Sequence, residues 1–151
     1  MKVIIRAYVD AALDIERQEG YYGIYIDIKE PVEEGGSLGS AVNSTLCEYR
    51  AFLVLTQKLV VLKRKIKFDE VIIFSDMQNL TRQLKKLIPP PKKKSLSKCY
   101  REILKNLDRV KWDVSFVPHN RNPAHQIVRK YLEDARIQEQ LVGIFDRYED
   151  D

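Results

Sequence analysis

The fold turns on residues 71–80, VIIFSDMQNL, where a wholly apolar run stops abruptly at an acid. Four large apolar residues without polar alternation predict a short strand at 71–75, buried on both faces, as the central strands of parallel sheets are. Asp76 follows directly, and MQNLTRQLKKLI then predicts a helix over 77–88. That helix is closed by the triple proline 89–91, which supplies no backbone donor and disfavours helix before it. An acid at the carboxyl end of a central strand has two readings. It is an N-cap for the helix that follows, or it belongs to the ligand-gathering end of an α/β sheet.

Working outward toward the N-terminus, TLCEYRAFLVLTQKLVVLKR at 45–64 lacks Gly and Pro and predicts a helix of about five turns. Its Glu48 lines up with Ala51, Phe52, Leu55, Leu59 and Leu62, at spacings of 3, 4, 7, 11 and 14. A carboxylate on a core-facing stripe needs compensation. One source is a capping box with Thr45 as N-cap; the other is a bound cation. Farther upstream, KVIIRAYVD at 2–10 and YYGIYIDIK at 21–29 predict an antiparallel strand pair, with a weaker third strand near 36–42. Asp10 closes the first strand in this reading, opposite the apolar set Val3, Ile5, Ala7 and Val9, and is an ordinary turn aspartate or faces a cleft.

Toward the C-terminus, LSKCYREILKNL at 96–107 predicts a helix, KWDVSFV at 111–117 a strand, 123–136 a helix, and 137–148 a final helix. Asn122 as N-cap and Pro123 at the first helical position place His125 in the first turn. There the helix dipole disfavours a protonated imidazole, and a neutral imidazole is a competent metal ligand. The same residue is otherwise a core histidine beside Val128 and Leu132.

Length and charge set the frame. With 151 residues, 44% hydrophobic and 32% charged, the chain has the balance of one compact domain spanning 1–151, with 137–151 an acidic helix or tail. Residues 82–111 hold eleven basic side chains against two acids, and 133–151 seven acids against two arginines. Such a basic run suits phosphates, through counterion release, or is simply a solvated face. Cys47 and Cys99 lack metal-ligand spacing and are too few for a disulfide scaffold, and no apolar run approaches membrane length. The expectation is a cytoplasmic protein with no membrane partner, acting as a monomer.

Together, the strand-end Asp10, then NSTLCEYRA at 43–51, then FSDMQ at 74–78, then VSFVPHNRNPAHQIVRKYL at 114–132 resemble the ribonuclease H superfamily. The likeness is greatest to its type 1 enzymes and reverse-transcriptase-like domains and runs over residues 3–136. The resemblance implies an α/β fold with a five-stranded mixed sheet in the order 3-2-1-4-5, its first three strands antiparallel and the last two parallel. It implies Asp10, Glu48, Asp76 and His125 as catalytic ligands of two Mg²⁺ or Mn²⁺ ions, and an endonuclease cutting the RNA strand of RNA–DNA hybrids. Asn43, Ser44 and Gln78 would read the hybrid, Lys92, Lys93, Lys94, Lys98 and Arg121 would hold phosphates, and His119 would assist proton transfer or product release. Two departures stand out. Asp10 is followed by Ala11-Ala12 where the family usually has Gly-Ser, and His125 stands where an aspartate is commoner, although Argonaute-type nucleases of the superfamily also carry histidine there. A non-catalytic nucleic-acid-binding module and a DNA nuclease or resolvase are the alternatives on the same fold.

Overall fold

The computed structural model describes the backbone of residues 1–149, with side chains described to residue 144. Strands β1 (Ile4–Asp14), β2 (Glu19–Asp27) and β3 (Val32–Ser40) lead into helix α1 (Ser44–Lys65) and strand β4 (Glu70–Ser75). Helices α2 (Gln78–Leu84) and α3 (Lys94–Leu107), strand β5 (Trp112–Phe116), a 3-10 turn at His119–Arg121 and helix α4 (Pro123–Glu149) follow. The sheet order is β3-β2-β1-β4-β5, with β1, β4 and β5 mutually parallel and β2 antiparallel to both neighbours. This is the mixed sheet expected from the resemblance.

Alternation divides the sheet into two unlike faces. Ile5, Ala7 and Val9 of β1 and Val71 and Ile73 of β4 are buried against α1, whose Ala51, Phe52, Leu55 and Leu59 are fully buried. Each such large side chain contributes on the order of 1.5–3 kcal/mol by leaving water. On the second face α4 packs against β1, β2 and β3, with its Val128 and Leu132 clustered with Tyr21. Gly23 of β2 allows the close approach: a Cβ there would lie 2.5 Å from the Ala124 carbonyl oxygen and 2.8 Å from the Val128 nitrogen.

Several boundaries differ from the sequence reading, each through tertiary pairing or capping. β1 does not close at Asp10 but runs four residues on, because β2 pairs with it as far as Asp14↔Glu19. β3 occupies Val32–Ser40 rather than 36–42, paired with β2 from Val32. Helix α2 ends at Leu84, short of 88, and Lys86 takes a left-handed φ of 62° before the prolines. Helix α3 begins at Lys94, two residues before the expected start at 96. The two helices expected at 123–136 and 137–148 are one, α4. The N-cap of α1 is Asn43, whose Oδ1 accepts from Leu46 N at 2.8 Å, and not Thr45. Among the described residues no helix is long and apolar enough to cross a membrane.

Candidate active site

The site lies where the sheet opens. β1 and β4 pair in parallel only as far as Val9↔Ser75, after which β4 ends and β1 continues with β2 alone. Asp10 is the first residue beyond that point, and Asp76 the first beyond β4. Glu48 comes from the first turns of α1, which packs on β1, and His125 from the first turn of α4 on the opposite face. Four elements thus bring their acids and imidazole to one gap.

Local capping leaves Glu48 and Asp76 uncommitted. Because Asn43 caps α1, Glu48 is two positions too late to form the expected capping box. The turn after β4 is held by Ser75, whose buried Oγ accepts from Met77 N at 3.0 Å. The N-cap position of α2 is Met77, with no side-chain cap, so Asp76 does not perform that service either.

Asp10 is buried, 5% exposed, with both carboxylate oxygens engaged. Oδ1 accepts from Ala11 N at 2.8 Å and Oδ2 lies 2.8 Å from His125 Nδ1. An ionised carboxylate only accepts, so Nδ1 is the donor of this bond, and Nε2 is the ring nitrogen that Asp10 does not engage. His125 is fixed from below by Asn122, expected as an N-cap and confirmed as one: its Oδ1 accepts from Ala124 N at 3.0 Å. The Asn122 amide has a second bond that sequence reasoning did not anticipate, donating to Val9 O at 2.9 Å. One buried side chain therefore ties the start of α4 to the strand residue before Asp10.

The electrostatics are those of a crowded anionic pocket. Glu48 is pushed up to about 7, chiefly by burial and then by the charges of Asp76 and Asp10. Asp76 is pushed up to about 6, again by burial first, then by the Asp10 charge and a hydrogen bond with Asp10. Among the described residues no three or more carboxylate, imidazole or thiol groups are already closed around one ion position. The donor set nevertheless fits divalent cations: oxygen-rich and partly desolvated, with one imidazole.

The remaining expected residues surround this centre at varying remove. The exposed His119 presents its ring edge-on to His125, centroids 5.4 Å apart. Ser44 and Asn43 are exposed at the start of α1, with the Asn43 oxygen spent on its cap. Gln78 begins α2 and lines a shallow cavity of about 210 Å³ with Thr81, Arg82 and Phe116. Arg121 is exposed in the 3-10 turn, and Lys92, Lys93, Lys94 and Lys98 are exposed at the start of α3.

No known family profile matches the sequence, and no curated protein is matched by it. Solved structures are matched. The ribonuclease H1 of the halophilic archaeon Halobacterium salinarum superimposes with a TM-score of 0.73 at 19% identity, over 87% of this chain and 98% of that one. The N-terminal ribonuclease H domain of a Mycobacterium tuberculosis protein gives 0.77 at 17% identity, over 91% and 99%. LC11 ribonuclease H1, isolated from compost by a metagenomic approach, gives 0.75 at 17% in its complex with an RNA/DNA hybrid, over 87% and 98%. The chain has the ribonuclease H fold.

Proposed function

We propose that this chain, acting as one ribonuclease H-like domain, is a metal-dependent endonuclease that cuts the RNA strand of RNA–DNA hybrids. The observation carrying this reading is the group of acids at the opening between β1 and β4, with Glu48 and Asp76 both raised and neither employed as a helix cap. Uncompensated carboxylates at a sheet opening cost folding stability, which points to a role in binding cations. The neighbouring fold of a ribonuclease H1 crystallised on a hybrid supports the choice of substrate.

Asp10, Glu48, Asp76 and His125 would hold two Mg²⁺ or Mn²⁺ ions, His125 through Nε2. Such a pair, when bound, supplies water activation and stabilisation of the leaving oxygen in an in-line displacement. Asp10 orients His125 through Nδ1, and Asn122 sets the height of both. Gln78, Ser44 and the Asn43 amide face minor-groove hydroxyls, the groups that distinguish RNA from DNA. Lys92, Lys93, Lys94, Lys98 and Arg121 hold backbone phosphates, and His119 moves a proton beside His125.

The test is one cleavage panel of hybrid, duplex DNA, four-way junction and duplex RNA with Mg²⁺, with Mn²⁺ and with EDTA. The expected result is metal-dependent cleavage of the hybrid alone. Cleavage of duplex DNA or of the junction instead would make the chain a DNA nuclease or resolvase. A second reading, a binding module without catalysis, is favoured by one observation: the Asp10–His125 pair is already bonded to itself. Tight hybrid binding with no cleavage in either metal would establish it.

A further inference from the structure

The basic run at 82–111 is continuous in sequence, but the fold parts it. Helix α3 carries Lys94 and Lys98 at one end and Lys105 at the other, and delivers Arg109 and Lys111 to the start of β5. Since β1, β4 and β5 are parallel, their first residues, Ile4, Glu70 and Trp112, share the end of the sheet opposite the carboxylates. Backbone bonds knit the connections there: Asp69 N to Val3 O at 2.8 Å and Val71 N to Lys111 O at 3.0 Å. Helix α1, 22 residues and roughly 33 Å long, ends at this same pole with Arg64 and Lys65, followed by Lys67. It lies beside α3, joined by the Asn106 amide donating to Thr56 Oγ1 at 3.0 Å.

The pole is more basic than local structure requires. Cations in the last turns of α1 and α3 offset the helix dipoles, which accounts for Arg64, Lys65 and Lys105 but not for Lys67, Arg109 or Lys111 outside the helices. All six are exposed, and among the described residues none has a carboxylate partner within 4.0 Å. By contrast Lys2 is paired with Glu70 at 2.9 Å, and Lys63 is engaged with the carbonyl and ring of Phe68.

We propose that this pole is a second nucleic-acid surface, which grips the phosphates of a duplex segment other than the one at the carboxylates. The choice of nucleic acid as the polyanion rests on the reading of the chain as a nuclease. It is also favoured over an anionic membrane because α1 and α3 meet the pole end-on, so neither lays an amphipathic face along it. With the two surfaces a helix length, roughly 33 Å, apart, a duplex of 8 base pairs, about 27 Å long at about 3.4 Å per pair, cannot reach both.

The experiment titrates the full chain with a fluorescent DNA hairpin whose stem is an 8-base-pair duplex, in EDTA at low salt. Sedimentation gives the stoichiometry and anisotropy the salt dependence. Wild type and the charge-preserving R64K/K65R/K67R variant are expected to bind two duplexes. R64Q/K65Q/K67Q is expected to bind one, and its summed salt slope to fall by about 2–3, at roughly 0.9 per lost phosphate contact. Equal stoichiometry and slope in the Gln variant and wild type overturn the proposal. So does loss of binding to phosphatidylserine vesicles with duplex binding unchanged, which would make the pole a membrane surface. Cleavage is not read, so failure of the nuclease reading leaves this outcome independent.

Discussion

His125 Nδ1 and Asp10 Oδ2 lie 2.8 Å apart, joining the first turn of α4 to β1 across 115 positions of sequence. The pair decides how the site can work. A bond at Nδ1 turns Nε2 away from Asp10, so the imidazole would serve a cation on the far side of its ring, and an imidazole ligand favours a softer ion than an all-carboxylate site would. His125→Asp is therefore expected to move the ratio of Mg²⁺- to Mn²⁺-supported cleavage upward by about tenfold or more. His125→Ala is expected to lower cleavage with both ions. An unchanged metal ratio in His125→Asp would remove the histidine from the ligand set.

Glu48 links the site to stability through pH. Its side chain ionises near 4.5 when unfolded and is pushed up to about 7 in the fold. Below pH 4.5 both states are protonated and there is no penalty. Between 4.5 and 7 the folded state retains a proton that the unfolded state has released, so stability falls as pH rises. Above 7 the full penalty stands. Glu48→Gln should thus stabilise the metal-free protein by on the order of 2 kcal/mol at pH 8 and by almost nothing at pH 4. Thermal melts at the two pH values would show it, and cleavage should drop by about 100-fold or more.

Asn122 holds the height of α4 through two buried bonds. Asn122→Ala leaves Val9 O without its partner and is expected to cost about 1–3 kcal/mol in urea unfolding. Asn122→Asp, which can accept from Ala124 N but cannot donate to Val9 O when ionised, should recover the cap without restoring full cleavage.

Gly23 sets the contact between β2 and α4. A methyl group there meets the α4 backbone at Ala124 O and Val128 N, so Gly23→Ala must displace the helix that bears His125. The expected loss is about 1–3 kcal/mol. The Mn²⁺ concentration for half-maximal cleavage is expected to rise. Gly39, with nothing within 4 Å of an added Cβ but a φ of 81°, is the control: Gly39→Asn, which tolerates that φ, should leave metal dependence unchanged.

The lysines at the start of α3 make the last prediction. Lys92→Gln/Lys93→Gln/Lys94→Gln should raise KM on a hybrid with kcat little changed, and lower the salt slope of binding by roughly 2–3. A fall in kcat at constant KM would place these residues at the chemistry instead.

Much of this was legible in the order of residues. VIIFS read as a strand, the Gly- and Pro-free 45–64 stretch as a long helix, and Asn122-Pro123 as a helix start, because periodicity and backbone chemistry are local properties; burial on both faces did not follow, since Val71 and Ile73 are buried but Ile72 and Phe74 are only half-buried. The sequence also offered each acid an ordinary explanation: a capping box for Glu48, an N-cap for Asp76, a strand-end turn for Asp10. Only the tertiary structure removed these, by giving the capping work to Asn43 and Ser75 and by carrying β1 past Asp10. Pairing, approach distance and burial depend on what other segments bring to the same place. For the same reason the Asn122–Val9 bond, the bare contact at Gly23 and the division of the basic run between two poles appear only once the chain is folded.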